Sequence, residues 1–327
     1  MSLPSYVDLP IRDGLPKGSS WGVWDDDDRF GCLNTLTPER ALRGAACVRS
    51  GSVFALNLEL ELPDPPLFGR PAHTHEVVQR PSGVSADDML HGLNTQASSQ
   101  WDGFRHVRHP IHGAYNGMPE SEHGVHFWAR RGIVGRGVLA DVARWRAEVG
   151  RPIEPGTRDE ITASDLHETL RAQNIVLETG DILLVRTGWL VWYRAQSAEA
   201  RATYATSLAA TGLAAREETV AALWDMHIAC IGVDNPSVEA WPPPMYAMTP
   251  ADREAAMAAS ADPSVAASLF MHMNLLPLIG LPLGELFDLD ALGDHCATTR
   301  TYDFLVTSAP LNLLHGVASP PNILAVC

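Results

Sequence analysis

The feature that most constrains the fold is an alternation of short apolar runs and amphipathic stretches along the chain. Apolar and β-branched runs bounded by glycine are typical of buried strands, and they occur at residues 52–60, 137–142, 181–187, 227–233, 302–307 and 322–326. Helical periodicity is clearest at residues 163–173, 216–226, 264–276 and 288–296. Strands that alternate with helices over the second half predict an α/β fold with a mixed sheet.

Two of the predicted helices begin with capping signals. Thr162 followed by Asp165 is an acidic variant of the capping box, and Asp288 is a candidate N-cap of the last helix. We find no repeat of fixed period and no linker long enough to separate two domains. The sequence therefore predicts one domain.

The charge balance restricts the partners of the chain. With 24 Lys and Arg against 39 Asp and Glu, the formal net charge is -15. Binding to phosphates needs clustered Lys and Arg, so we expect neither nucleic acid nor a membrane surface as a partner. The most apolar window, residues 269–287, contains His272, Glu285 and two prolines, which a membrane helix of about 20 residues does not tolerate.

Cysteine usage indicates a reducing compartment. The five cysteines are scattered and form no C-x-x-C pair, so neither a disulfide framework nor a zinc knuckle is predicted. Residues 1–17 have prolines and acids where a signal peptide has a basic start and an apolar stretch. We expect a cytoplasmic location.

Two short motifs occur in contexts that do not suit their usual roles. Residues 18–22 match G-x-S-x-G, but no core strand precedes them and no amphipathic helix follows. Residues 135–140 match a dinucleotide fingerprint, yet the apolar strand begins inside the motif rather than before it. The acidic run at residues 25–28 is typical of a solvated loop.

A candidate site lies between residues 91 and 117, where histidines, amides, a carboxylate and aromatic groups are concentrated. Its central part reads Q-A-S-S-Q-W-D-G-F-R-H from Gln96 to His106. Imidazole and carboxylate groups two to four residues apart can converge on one ion or one reacting atom. The spacing therefore predicts a reaction centre on this segment.

This segment resembles the motif H-x-G-T-H-x-D-x-P-x-H of the cyclase family that includes bacterial kynurenine formamidase and isatin hydrolase. Aligned without gaps, Gln96 and Gln100 stand at the first two histidines of the motif. Asp102 stands at its aspartate, Phe104 at its proline and His106 at its last histidine.

Other stretches are similar to the larger members of the family, so the resemblance covers almost the whole chain. They are W-G-V-W-D-D-D-D-R-F-G from residue 21, G-I-V-G-R-G-V-L-A-D-V from 132, G-D-I-L-L-V-R-T-G-W from 180, I-G-V-D-N-P from 231 and A-P-L-N-L-L-H-G from 309. The resemblance implies one catalytic domain over residues 1–327, with residues 1–50 as an N-terminal extension packing on it. It also implies a central mixed sheet flanked by helices, of the swivelling β/β/α type.

The resemblance further implies a divalent metal ion, Mn²⁺, Zn²⁺ or Mg²⁺, and a ligand set. His272 and Glu285 match the later histidine and glutamate of the metal-dependent members, and the implied ligands are Gln96, Gln100, Asp102, His272 and Glu285. The implied catalytic residues are His106, Asp102 and Glu285, acting on a cyclic amide, an aryl amide or a lactone through metal-activated water. Glutamine is a weaker zinc ligand than imidazole, which favours a harder ion or none.

Two alternatives remain open at this stage. A metal-free cyclase or dehydratase of a polyketide-like or aromatic metabolite could use Asp102, His106 and Glu285 for acid-base chemistry. A small-molecule-binding protein without catalysis would also accommodate the two missing histidines. As in similar family members, we expect a homo-oligomer.

The expected partner is a small aromatic or cyclic substrate, since aromatic rings lie near the matched motifs. The residues predicted to contact it are Trp24, Trp101, Phe104 and His109.

Overall fold

The largest element of the fold is a nine-stranded mixed sheet. The computed structural model describes residues 3–327, so the first two positions of the predicted extension lie outside the described residues. The strands are β1 (Val53–Ala55), β2 (Thr74–Gln79), β3 (Ala86–His91), β4 (Gln100–Asp102), β5 (Ile133–Asp141), β6 (Glu160–Ile161), β7 (Ile182–Arg186), β8 (Gly212–Leu213), β9 (Cys230–Val233), β10 (Leu283–Glu285), β11 (Asp303–Ser308), β12 (Ala318–Ser319) and β13 (Ile323–Val326).

Helices flank this sheet. They are α1 (Pro38–Ala45), α2 (Val125–Arg131), α3 (Val142–Glu148), α4 (Ala163–Ala172), α5 (Trp189–Arg194), α6 (Ala198–Thr206), α7 (Glu217–Asp225), α8 (Pro250–Ala258), α9 (Pro263–Leu269), α10 (His272–Leu275) and α11 (Asp290–Thr299). Among residues 3–327, none of them has the length and apolar character needed to cross a membrane.

The sheet has the strand order β1-β13-β11-β5-β7-β9-β10-β4-β12. Its centre, β5-β7-β9-β10, is parallel, and the flanking pairs are antiparallel. Parallel strands are covered on both faces, which explains why β9 and most of β7 are continuous buried apolar runs. The predicted α/β fold with a mixed sheet is confirmed.

Each apolar run predicted to be a strand overlaps one, and the bounds differ most at two of the runs. The run at 52–60 contains only the three residues of β1, because pairing with β13 involves Val53 to Ala55 alone. β5 begins at Ile133, so the glycines of the motif at 135–140 lie inside a paired strand. A Cβ atom at Gly137 would lie 2.3 Å from Val306 and 2.5 Å from Phe304, so close packing requires this glycine.

The capping box at α4 is confirmed, with Asp165 N donating to Thr162 Oγ1 and Thr162 N donating to Asp165 Oδ2. Two other helix predictions were wrong. The periodic stretch at 264–276 forms two helices, α9 and α10, because the backbone of Phe270 is extended at φ -165°. Asp288 does not cap α11; it instead accepts a hydrogen bond from Arg194 at 2.8 Å.

The acidic run at 25–28 is only partly solvated. Its first three residues are exposed, but Asp28 is buried, contrary to the prediction. The Asp28 carboxylate accepts hydrogen bonds from the backbone of Gly31 at 2.8 Å, from Asn34 at 2.7 Å and from the Tyr115 hydroxyl at 3.1 Å. The first two bonds hold the turn after Asp28, and the bond from Tyr115 attaches the N-terminal segment to the residues that follow the candidate site.

A second buried carboxylate, Asp234, connects the carboxyl ends of β7 and β9 through hydrogen bonds. It accepts hydrogen bonds from Thr187 N and Oγ1, both at 2.7 Å, and from Gly188 N at 2.9 Å. Burial raises the pKa of Asp234 to about 6, against the opposing effect of these donors. The next residue, Asn235, accepts a hydrogen bond from Leu286 N through its backbone oxygen. Asp234 therefore fixes the loop after β9 against the residues after β7, and Asn235 fixes it against the residues after β10.

We expect Asp234→Asn to lower the free energy of unfolding by about 1–3 kcal/mol, because an amide N–H would replace an acceptor oxygen that faces buried donors. Urea denaturation followed by circular dichroism measures this loss. Asp27→Asn is the control, since the Asp27 side chain is 77% exposed and should change stability by less than about 0.5 kcal/mol. Equal midpoints for the two variants would contradict the role given to Asp234.

Candidate active site

The centre of the candidate site is the antiparallel pairing of β4 with β10. Glu285 lies directly opposite Gln100, and Asp102 lies opposite Leu283. Because side chains alternate along a strand, Gln100 and Asp102 share one face, and cross-strand neighbours point the same way. Two carboxylates from segments far apart in sequence are thereby buried side by side.

Trp101, between Gln100 and Asp102, points to the opposite face of β4. There it packs edge-on against Phe287 at 5.0 Å and donates a hydrogen bond from Nε1 to Ser308 Oγ at 2.9 Å. The residue opposite Trp101 is Gly284, where a Cβ atom would lie 2.4 Å from Phe287 and 2.9 Å from Trp101. Glycine at 284 thus leaves room for the rings of Trp101 and Phe287.

Two glutamine amides hold the carboxylates. Gln100 Nε2 donates to Glu285 Oε2 at 2.7 Å and makes longer contacts of 3.4 Å with both oxygens of Asp102. Gln96 Nε2 donates to Asp102 Oδ1 at 2.8 Å and lies 3.0 Å from His106 Nδ1. The glutamines therefore present nitrogen, not oxygen, to the acidic groups.

His272, the first residue of α10, lies between two buried glutamates. Its Nδ1 is 2.6 Å from Glu239 Oε2, and its Nε2 is 3.2 Å from Glu285 Oε1. Its ring is stacked on Phe270, with centroids 4.5 Å apart. Burial acts to lower the pKa of His272, but Glu239 and then Glu285 outweigh it and hold this pKa well above its usual value.

In two further groups of the cluster, Glu285 and His106, the pKa is shifted in opposite directions. Burial, and next the charge of Asp102, raises the pKa of Glu285 to about 7, although His272 opposes this. Burial lowers the pKa of His106, against the effect of Asp102, whose Oδ2 is 3.8 Å from His106 Nε2. The His106 ring is partly exposed and lies 6.2 Å from the ring of His272.

A cavity of about 260 Å³ opens onto this cluster. His106, His272 and Glu285 line its polar side, together with Arg70 and Ser237. Its apolar side is an aromatic wall centred on Trp241, with the centroids of the other three rings 4.7–6.5 Å from that of Trp241. The wall consists of Phe68, Trp241, Tyr246 and Phe270.

The structure brings the predicted ligands and catalytic residues together, but not the residues predicted to contact the substrate. Gln96 to His106 meet His272 and Glu285 in one cluster. The four predicted contact residues are not part of the cavity lining. Trp24 packs on Trp224, Trp101 lies on the other face of β4, Phe104 packs on Tyr115 and Trp128, and His109 lies 3.1 Å from the backbone oxygen of Ser260.

Sequence reasoning missed Glu239, Arg70 and the whole aromatic wall. Glu239 and Trp241 closely follow the motif I-G-V-D-N-P, and Phe270 precedes His272 by two residues, so proximity to matched motifs was an available signal. For Phe68 and Arg70 the sequence offers no such signal, because they lie upstream of the matched segment, beyond a hairpin.

One group of side chains has the geometry of a metal site. One ligand atom from each of Asp102, His272 and Glu285 lies within 4.8 Å of the others, and all three residues are buried. Carboxylate oxygen and imidazole nitrogen are common ligands of divalent metal ions in proteins. Glu239 would orient His272 by binding Nδ1, as outer carboxylates commonly do.

The α/β fold, the acidic cluster and the aromatic cavity are typical of an enzyme of the hydrolase or cyclase type. The family model described as "Putative cyclase" matches residues 54–240, more than half of the chain. The protein belongs to this cyclase family, as the resemblance of its motifs indicated.

Three solved structures share the fold of the chain. A crystal structure described as a novel cyclase matches with a TM-score of 0.78 and 27% identity, covering 100% of both chains. Isatin hydrolase A from Labrenzia aggregata, bound to benzyl benzoate, matches with a TM-score of 0.53 and 17% identity, covering 86% of this chain and 94% of that one. Isatin hydrolase A from Ralstonia solanacearum matches with a TM-score of 0.55 and 17% identity, covering 84% of this chain and 91% of that one. No curated protein matches the chain.

Proposed function

We propose that the protein is a hydrolase that acts on a cyclic amide, an aryl amide or a lactone, through water activated at a site for a divalent metal ion. The observation that carries this proposal is the convergence of Asp102, His272 and Glu285, with ligand atoms within 4.8 Å of one another. The shared fold with isatin hydrolases, one of them bound to benzyl benzoate, supports a small aromatic or cyclic substrate.

The donor set fits such an ion. Asp102, Glu239 and Glu285 are three buried carboxylates around one imidazole, and a divalent cation would balance the excess negative charge. Two oxygen donors and one nitrogen donor suit Mn²⁺ or Zn²⁺, and Mg²⁺ less well. Gln96 and Gln100 would be ligands only after their amides rotate to present oxygen; as placed, they orient the carboxylates.

The ion and the side chains around it would have separate roles in the reaction. When bound, a divalent metal ion polarises a carbonyl group and lowers the pKa of water to about 7. Asp102, His272 and Glu285 would hold the ion, and Glu239 would keep the proton on His272 Nδ1. His106, at the cavity surface, would take a proton from water and pass it to the leaving nitrogen or oxygen. The aromatic wall would hold a flat ring and exclude solvent.

A second candidate is a metal-free cyclase or dehydratase, and the glutamine amides favour it. Gln96 and Gln100 already donate hydrogen bonds to Asp102 and Glu285, so these carboxylates have partners without an ion. Asp102, His106 and Glu285 would then transfer protons directly. The two candidates differ in their need for metal.

We expect the purified protein to contain a stoichiometric amount of Mn, Zn, Mg or Fe, measured by elemental analysis. Chelation should abolish turnover of cyclic amides, aryl amides and lactones, and adding back the metal should restore it, because a bound ion would activate both the attacking water and the carbonyl group. Asp102→Ala protein is the control for metal bound elsewhere. If careful purification left no stoichiometric metal, the hydrolase mechanism would be abandoned in favour of the metal-free candidate.

Asp102→Ala and His106→Ala should each reduce turnover by at least about 100-fold, because proton transfer by a positioned side chain contributes about 10²–10⁴-fold. Both variants should keep the circular dichroism spectrum of the parent protein. His112→Ala is a matched control, since this imidazole lies outside the cavity lining. Full turnover in either test variant would contradict the assignment.

Glu239→Gln should weaken binding of Mn²⁺ or Zn²⁺ by about 10–100-fold, since loss of an outer carboxylate releases the orientation of the ligating imidazole. Isothermal titration calorimetry measures the affinity without any substrate. Glu239→Asp should recover part of it, and Glu59→Gln, at an exposed glutamate, should leave it unchanged. An unchanged affinity in Glu239→Gln would show that Glu239 does not orient His272.

A further inference from the structure

Arg70 is the one arginine or lysine that lines the cavity. Its Nη1 donates to the backbone oxygen of Gln96 and, at 3.5 Å, to Gln100 Oε1. Within residues 3–327, its Nε and Nη2 make no hydrogen bond, and no carboxylate oxygen lies within 4.0 Å of its guanidinium. Two donors of a planar cation are thus left for a ligand in the cavity.

The amide of Gln100 explains why this cation stays unpaired beside an acidic cluster. Its oxygen faces Arg70, while its nitrogen donates to Glu285 at 2.7 Å. The amide therefore stands between the guanidinium and the carboxylate. A positive group and a negative group are kept apart in one cavity.

The ring of Phe68 packs against one face of the Arg70 guanidinium. Arg70 lies over the Phe68 ring, 4.9 Å from its centroid, and this ring packs edge-on against Trp241 at 4.8 Å. The backbone of Phe68 has φ 61° and ψ 22°, a left-handed conformation that is rare for a bulky residue. The turn thus directs the ring and the guanidinium to the same wall of the cavity.

We propose that Arg70 binds a carboxylate of the substrate, so that the site selects flat aromatic or cyclic acids over neutral rings. A guanidinium matches a carboxylate in a planar, two-bond geometry, which a neutral amide cannot reproduce. Repulsion by Asp102 and Glu285 would keep the acid group at the Arg70 end and direct the opposite edge of the ring towards His106 and His272. This inference rests on the proposed function only for the reaction, not for binding.

The test compares benzoate with benzamide, two ligands of nearly equal shape and different charge. Binding is measured by calorimetry and by the intrinsic tryptophan fluorescence, to which Trp241 in the cavity wall contributes. The protein is treated with chelator, so that no metal ion can bind the carboxylate. We expect the parent protein to bind benzoate at least about tenfold more tightly than benzamide. High salt should reduce this preference, because screening weakens the attraction.

Arg70→Gln should abolish the preference for benzoate while leaving benzamide affinity nearly unchanged, and Arg70→Lys should keep only part of it. Arg105→Gln is the matched control, because Arg105 also donates to a backbone oxygen, that of His315, but does not line the cavity. If Arg70 served only to fix the chain at Gln96, Arg70→Gln would lower the affinity for benzoate and for benzamide equally, and the inference would be wrong.

Equal affinity of the parent protein for the two probes, or no binding of benzoate at any soluble concentration, would also overturn the inference. Neither result bears on hydrolysis, because the measurement uses no metal and no turnover. Conversely, absence of metal-dependent hydrolysis would leave a benzoate preference intact. The two proposals therefore fail separately.

Discussion

The short pairing of β4 with β10 is the constraint on which the rest of the site depends. It places a carboxylate from each strand on one buried face, although the two strands are separated by most of the chain. Burying like charges is unfavourable unless donors or cations offset them. Several groups offset the negative charge of the two neighbouring carboxylates. They are the amides of Gln96 and Gln100, the imidazole of His272 and the proposed metal ion.

Much of the fold could be predicted because parallel strands buried on both faces leave a strong signal in sequence. β7 and β9 were found from apolar runs alone, and the capping box of α4 from two residues. Helix periodicity at 264–276 was misleading, because buried apolar side chains continue through the break at Phe270. The spacing of apolar residues indicates which side chains are buried, but buried side chains can continue where a helix is interrupted.

The candidate site was predictable only in part, for geometrical reasons. The family motif indicated the residues of β4, and a paired match indicated His272 and Glu285. Trp101 is predicted to contact the substrate because it lies in the matched motif, yet its neighbours Gln100 and Asp102 face the opposite side of the sheet. The aromatic wall is assembled from distant loops, and no local pattern marks loops that meet only after folding.

The hairpin of β2 and β3 begins and ends at this site. The chain leaves the cavity after Arg70, forms a two-stranded sheet of its own, and returns at Gln96. The segment between these points contributes no strand to the nine-stranded sheet. Its length and composition could therefore change while the strands that carry Asp102 and Glu285 keep their register. Because Arg70 donates a hydrogen bond to the backbone oxygen of Gln96, the two ends of the segment are joined beside the cavity. The hairpin can therefore vary among related chains while both the acidic centre and the guanidinium stay in place.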